Sequence, residues 1–182
     1  MAITELRFGG YGGQGVIMAG MIVGKAAVIF DGKNSTLTQT FGPEARGSHC
    51  SCQVIVSDKR ILYPYVTRPN ILVTMSQDAC NLFQPDLRED GMLFFEESLV
   101  KPLKLSAGIR QYSIPATNMA EELGRRLVTN IVMVGFFTAI TGIVGAESAR
   151  QAISSLVPKN TVELNLKAFT SGYEHGQKQL GR

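Results

Sequence analysis

The feature that most constrains the fold is a glycine-rich turn at residues 9–15, close to the start of the chain. Residues 5–8 before it alternate polar and apolar side chains, as a short strand does. Residues 16–30 after it are apolar nearly all round at helical spacing, so we expect a largely covered helix. Residues 35–39 predict a second strand. Strand, turn, helix and strand form a β-α-β unit, which implies a parallel strand pair with a right-handed crossover.

The remaining segments extend this unit into a single domain that spans residues 1–182. Residues 50–57 alternate, and a turn leads from them into residues 60–63, so we expect an inserted β-hairpin. Further strands are predicted at residues 70–75, 92–95 and 111–114. Helices are predicted from Asn118 to Gly145 or Ala146, from Glu147 to Leu156, and from Asn160 onward. The fold class is therefore α/β, a Rossmann-like, mostly parallel sheet flanked by helices, with a helical C-terminal third.

Composition and charge narrow the functional classes. A net charge of +3 gives no electrostatic reason to expect nucleic acid or an anionic membrane as a partner. Charged residues make up only 18% of the chain, which indicates that part of its surface faces another protein. The three cysteines lack metal-site spacing, and they favour a reduced, cytoplasmic protein. Residues 127–146 are uncharged, but polar residues and glycines dilute them, so we expect a buried helix there and no membrane span.

The glycine-rich turn has the chemistry of an anion-binding loop. Gly10, Gly12 and Gly15 have the G-x-G-x-x-G spacing, and open N–H groups at a helix start favour a phosphate. A dinucleotide would also need an acidic residue at the end of the second strand, whereas Asp31 precedes that strand. Three interpretations stay open: a dinucleotide, another anion such as a coenzyme A phosphate, or a structural turn without a ligand.

A second loop, residues 41–47, is bounded by glycine and proline and contains Glu44 and Arg46. An exposed charge pair in a solvated turn would explain these residues without any function. The alternative is a loop that projects into a neighbouring subunit, where a guanidinium can bind a carboxylate or a phosphate bidentately. We favour the second interpretation. His49 is interpreted as a polar loop residue, and Cys50 and Cys52 as small core residues.

The two loops together resemble a known family. The segment Gly10-Tyr11-Gly12-Gly13-Gln14-Gly15, joined to Gly42-Pro43-Glu44-Ala45-Arg46-Gly47, resembles the gamma subunits of 2-oxoacid:ferredoxin oxidoreductases, most of all those of the 2-oxoglutarate branch. The resemblance covers essentially the whole chain. It implies a cofactor-contact turn formed by Gly10, Gly12, Gly13, Gln14 and Gly15. It also implies an active-site or subunit-contact loop formed by Gly42, Pro43, Glu44, Arg46 and Gly47.

Enzymes of this family oxidatively decarboxylate a 2-oxoacid to an acyl-CoA and pass electrons through iron–sulfur clusters to ferredoxin. The resemblance implies that thiamine diphosphate, magnesium and the clusters belong to the alpha and beta subunits, and to a delta subunit where the complex has one. This chain would shape the active-site cleft and could help to hold coenzyme A. Its own residues agree with an accessory role, because it lacks grouped cysteines and has only His49 and His175 as histidines. We therefore expect no metal site and no catalytic residue here.

Two further hypotheses remain from the sequence. The chain could be a stand-alone nucleotide-binding or regulatory module, in which case it would purify without a thiamine-dependent partner. It could also be a structural spacer between catalytic subunits, in which case changes in the glycine-rich turn would leave the kinetics unchanged.

Overall fold

A computed structural model describes residues 3–42 and 49–181, and its central feature is a mixed six-stranded sheet with the order β2-β3-β1-β4-β5-β6. The strands are β1 (Thr4–Tyr11), β2 (Asn34–Phe41), β3 (His49–Ser57), β4 (Ile71–Thr74), β5 (Met92–Glu96) and β6 (Arg110–Ile114). Strands β1, β4, β5 and β6 pair in parallel, and β3 is antiparallel to both of its neighbours. The α/β class with a mostly parallel sheet is thus confirmed.

Two details of the predicted pairing are wrong. Strands β1 and β2 do not pair with each other, because β3 lies between them. The inserted hairpin exists, but it joins β2 to β3 and does not involve residues 60–63. Eight residues of β2 pair with eight residues of β3 in unbroken register, from Asn34 opposite Ser57 to Phe41 opposite Cys50. Residues 60–63 adopt no strand and are followed by Pro64, whose ring prevents a backbone N–H from joining a ladder.

Six α-helices cover the two faces of the sheet among the described residues. They are α1 (Val16–Lys25), α2 (Gln77–Phe83), α3 (Ala116–Glu122), α4 (Thr129–Thr141), α5 (Ala146–Leu156) and α6 (Val162–Gln179). The main core lies between the sheet and α1, α4, α5 and α6, and a smaller apolar cluster lies on the opposite face beside α2.

The helix predicted from Asn118 to Gly145 or Ala146 is two helices. Gly124 takes a left-handed conformation with φ of 87°, and Arg125 is extended. The N–H of Arg125 donates to the carbonyl of Ala120 at 3.1 Å, which closes the end of α3. A 3-10 turn at Arg126–Val128 then starts a new direction before α4 begins. This break brings residues 125–128 to the sheet edge where the glycine-rich turn lies.

Helix α1 is less covered than its composition suggests. A π-helical turn, Ala26–Phe30, continues it. The side chains of Val28, Ile29 and Phe30 in this turn are 41%, 62% and 37% exposed. An apolar patch therefore lies on the surface where a buried helix end was expected.

Helices α4 and α6 pack against each other at backbone contact. Gly135 of α4 lies against the carbonyl of Phe169, and Gly172 of α6 lies against the carbonyl of Val132, so neither position has room for a side chain. Residues 129–138 of α4 are all buried. In the described part of the chain no helix is long and apolar enough to cross a membrane. Core packing is thus the role of the uncharged segment around α4.

Candidate functional site

The glycine-rich turn lies at the carboxyl end of β1, where α1 begins. Gly13 and Gly15 have φ angles of 100° and 72°, a left-handed region that side chains other than glycine rarely adopt. Gly15 is the residue that precedes the first turn of α1. A β-carbon at Gly13 would meet no atom within 4 Å, so this residue faces open space. The turn therefore presents one backbone face to the surroundings.

The side chain of Gln14 ties the turn to the neighbouring parallel strand. Its Oε1 accepts a hydrogen bond from the N–H of Tyr11 at 2.6 Å, and its Nε2 donates to the carbonyl of Met75 at 2.7 Å. Gly10 leaves room for this carboxamide, because a β-carbon there would lie 2.6 Å from Oε1 of Gln14. Gln14 is thus a clamp between the ends of β1 and β4, and it occupies part of the crevice between them.

Gly15 is held by α4. The Nδ2 atom of Asn130 donates to the carbonyl of Gly15 at 3.2 Å, and a β-carbon on Gly15 would clash with the Asn130 side chain. Of the predicted cofactor-contact residues, Gly10 and Gly15 are therefore packed against this chain's own side chains. Gly13 and Gln14 border open space, as the cavity beside them shows.

A cavity of 210 Å³ opens beside the turn. Its walls come from the segments that follow the four parallel strands and from the start of α4. The lining residues are Gly13, Gln14, Met75, Leu99, Thr117, Arg126, Leu127 and Thr129. Ligands of open α/β sheets bind outside the carboxyl ends of the strands, so the position is the one expected for a ligand.

The cavity combines apolar walls with one cation at its rim. The side chain of Arg126 is 67% exposed, and its Nε lies 3.9 Å from a carboxylate oxygen of Glu121. Such a long, exposed ion pair contributes little, so the guanidinium is available to an anion. On the inner side, the buried carboxylate of Glu96 accepts a hydrogen bond from the N–H of Thr117 at 3.1 Å. Glu96 thereby fixes the wall that Thr117 provides.

The ends of the second predicted loop lie at the same sheet edge. Tyr11, the last residue of β1, is the register partner of His49, and their rings stack at 6.3 Å between centroids. The N–H of Gly42 donates to the carbonyl of His49 at 2.8 Å. The phenol of Tyr11 donates to Asp78 at 2.5 Å, and this hydrogen bond raises the pKa of Tyr11. Pro43, Glu44, Arg46 and Gly47 lie outside the described residues.

The dinucleotide interpretation loses its acidic residue. Asp31 lies at the far end of α1 and its π-helical turn, where its carboxylate accepts hydrogen bonds from the N–H of Gly145 and the hydroxyl of Ser148. It therefore caps α5 and does not approach the glycine-rich turn. Cys50 and Cys52 are buried, as predicted, and burial raises the pKa of Cys52 from 9.0 to about 12, so its thiol stays neutral.

Sequence reasoning missed most of the cavity. Met75, Leu99 and Thr117 follow β4, β5 and β6, and the rule that ligands bind at strand ends would have pointed to these segments. Arg126 and Leu127 had no such signal, because the chain was predicted to run through them as one helix.

Comparisons with known proteins agree with the fold and with the family that the sequence resembles. The family model described as pyruvate ferredoxin/flavodoxin oxidoreductase matches residues 5–175. The chain is 45% identical over 172 residues to the 2-oxoglutarate synthase subunit KorC of Methanocaldococcus jannaschii, covering 93% of this chain and 92% of that protein. It is 31% identical to the pyruvate synthase subunit PorC of the same organism, covering 98% of this chain and 100% of that protein.

Solved structures show the same architecture. The keto/oxoacid ferredoxin oxidoreductase gamma subunit of Geobacter sulfurreducens superposes with a TM-score of 0.85 at 39% identity, covering 96% of this chain and 99% of that one. The 2-oxoglutarate:ferredoxin oxidoreductase of Magnetococcus marinus gives a TM-score of 0.88 at 19% identity, covering 97% of this chain and 31% of the longer one. The chain belongs to the pyruvate ferredoxin/flavodoxin oxidoreductase family, as a gamma subunit of a 2-oxoacid:ferredoxin oxidoreductase. This places it in a multi-subunit enzyme, and a stand-alone module is not supported.

Proposed function

We propose that this chain serves an enzyme that oxidatively decarboxylates 2-oxoglutarate to succinyl-CoA, with ferredoxin as electron acceptor. The support is its identity of 42–45% to KorC subunits of three methanogens, against 31–32% to two PorC subunits. The Magnetococcus marinus enzyme, which shares the fold, has 2-oxoglutarate, coenzyme A and succinyl-CoA bound. All three cysteines of this chain are free, which suits the reduced cytoplasm in which we place the enzyme.

The redox and thiamine chemistry is assigned to the partner subunits. Within residues 3–42 and 49–181, no group of three or more His, Cys, Asp or Glu side chains is arranged to hold a metal ion. The described chain therefore does not group the thiolates that an iron–sulfur cluster needs. The alpha and beta subunits, with a delta subunit where present, would carry these groups.

The role proposed for this chain is to form one wall of the active-site cleft. The observation that carries the proposal is that His49 is the register partner of Tyr11 and accepts a hydrogen bond from the N–H of Gly42 at 2.8 Å. Both ends of the 43–48 loop therefore lie at the edge where the glycine-rich turn opens. The glycine-rich turn and the two ends of the 43–48 loop thus lie at the carboxyl edge of the sheet, where the cavity also opens beside the turn. A partner subunit placed against this edge would meet the loops and the cavity together.

Coenzyme A is the ligand that suits this wall best. Its phosphates match the exposed guanidinium of Arg126 and the open backbone at Gly13. Its pantetheine chain is long and weakly polar, as are the walls formed by Met75, Leu99 and Leu127. The clamp by Gln14 occupies part of the crevice between β1 and β4, where a dinucleotide would bind. We therefore propose that the cavity contacts coenzyme A while the partner subunits hold its reactive end.

Two single variants at neighbouring arginines, made in the assembled enzyme, test this proposal. Arg126→Ala should raise the apparent KM for coenzyme A by about tenfold to a hundredfold, because a charged hydrogen bond contributes about 1.5–3 kcal/mol. The KM for 2-oxoglutarate and the kcat should change little. The matched control is Arg125→Ala, which removes a neighbouring cation that does not line the cavity. Equal KM values for coenzyme A in both variants would contradict the proposed contact.

Substitutions in the glycine-rich turn distinguish the proposed contact with coenzyme A from the structural-spacer hypothesis. Replacing Gly12 and Gly13 by valine should raise the KM for coenzyme A while the subunits still co-elute in gel filtration. Unchanged kinetics in an intact complex would favour the spacer.

A further inference from the structure

Strand β2 is an open edge of the sheet. No strand in the described ranges, 3–42 and 49–181, pairs with its outer side. Natural edge strands are protected by charges, prolines, bulges or short length, yet β2 has eight residues, no charge, no proline and an unbroken register. The opposite edge, β6, is shorter, begins with Arg110 and is covered in part by Gln179, whose Nε2 donates to the carbonyl of Ser113. Strand β2 thus lacks the protection that β6 has.

The register shows which backbone groups of β2 are open. Residues of an antiparallel pair alternate between those that bond to the partner strand and those that point away from it. The N–H of Gly42 donates to the carbonyl of His49, so the even-numbered residues bond to β3. The odd-numbered residues direct their N–H and C=O groups outward. These residues are Ser35, Leu37, Gln39 and Phe41.

Exposed apolar side chains lie at both ends of β2. Phe41, at its end, is 62% exposed. The π-helical turn Ala26–Phe30, which packs against the start of β2, carries the exposed side chains of residues 28–30. Leu37 points towards α1, because its Cδ1 lies 3.4 Å from the β-carbon position of Gly20. Phe41 has the same parity and shares that face. The two apolar groups therefore lie on one face, at opposite ends of one strand.

We propose that β2 pairs antiparallel with β2 of a second copy of this chain, around a two-fold axis that passes beside Thr38. In this register Leu37 pairs with Gln39 of the second copy, and Ser35 pairs with its Phe41, which satisfies the outward groups with about eight backbone hydrogen bonds. The exposed Phe41 of each copy then lies beside residues 28–30 of the other. An uncharged strand brings no like charges together across the axis. The surface joins two gamma subunits along the outer edge of β2 and meets the cleft edge of the sheet at Phe41.

Cysteine cross-linking in the purified complex tests this pairing. On the axis, Thr38 faces its own copy in a non-hydrogen-bonded pair, with Cα atoms about 4.5 Å apart, which a disulfide can bridge. The variant Thr38→Cys should give, on mild oxidation, a reducible band of twice the mass of this chain. The control is Thr40→Cys on the same strand face, where the two copies would be about 13 Å apart. The Thr38→Cys band should exceed that of the control and of the unaltered protein at least tenfold.

A proline variant separates pairing from random collision. Gln39→Pro removes an outward N–H without removing a bond to β3, and edge strands tolerate proline. In the Thr38→Cys background it should reduce the cross-link several-fold while the melting temperature stays close to that of the parent. Equal bands from Thr38→Cys and Thr40→Cys, or no band from either, would overturn the proposal. If the odd-numbered amides of β2 were protected from hydrogen exchange but no cross-link formed, a strand of another subunit would cover this edge. That result would refute pairing with a second copy of this chain.

Discussion

The backbone contact between α4 and α6 gives a prediction whose size can be worked out from the structure. A β-carbon on Gly172 would lie 2.8 Å from the carbonyl carbon of Val132 and 3.1 Å from the N atom of Phe136, and it would also clash with the Val132 carbonyl oxygen. Backbone atoms cannot rotate away, so Gly172→Ala must push the helices apart. Overpacking costs about 1–3 kcal/mol, and this clash with backbone falls in the upper part of the range, at about 2–3 kcal/mol, while alanine recovers about 1 kcal/mol of helix propensity. The net loss of unfolding free energy should be about 1–2 kcal/mol.

The matched control is Gly24→Ala in α1. A β-carbon there would lie 3.5 Å from the Oγ of Ser35 and 3.9 Å from Val54, which are ordinary contacts. This variant should gain about 0.5–1 kcal/mol, because alanine costs less entropy than glycine in a helix. Thermal denaturation followed by circular dichroism should show a Tm lower by roughly 2–8 °C for Gly172→Ala and slightly higher for Gly24→Ala. If both variants were stabilised, the close approach of the helices would be refuted.

Two further predictions concern the site and the core. Gln14→Glu places an acceptor against the carbonyl of Met75, to which Nε2 of Gln14 donates in the unaltered chain. The variant should lower the free energy of unfolding by about 1–3 kcal/mol, measured by urea unfolding, and raise the KM for coenzyme A. If Gln14→Glu were as stable as the unaltered chain, the clamp would be excluded. Burial raises the pKa of Cys52 to about 12, so the folded state holds the thiol proton more tightly than the unfolded state does. The stabilisation that results is present below about pH 9 and is lost as the pH rises towards the folded pKa. Above about pH 9, the free energy of unfolding should therefore fall more steeply for the unaltered chain than for Cys52→Ala. The difference between the two slopes should be at most about 1.4 kcal/mol per pH unit. Identical slopes would show that Cys52 is not buried as a neutral thiol.

Short-range features of this protein could be predicted from its sequence because short-range physics produces them. The glycine-rich turn between β1 and α1 requires left-handed backbone at Gly13 and Gly15, and the apolar periodicity on either side needs no distant partner. Strands β4, β5 and β6 were located for the same reason, as was α5. The family resemblance rested on two such local segments, and the comparisons confirm it.

Long-range pairing was decided only by the tertiary structure. Periodicity showed that residues 50–57 form a strand, but it could not show that this strand inserts between β1 and β2, because many partners satisfy the same alternation. Nor could it place Arg126 and Gly13 in the lining of one cavity, since that arrangement depends on the helix break at Gly124 and on the direction that α4 then takes. The sequence by itself determined the class of fold and the loops. The cavity and the open edge of β2 arise from contacts between residues far apart in the chain, whose energies depend on the whole fold.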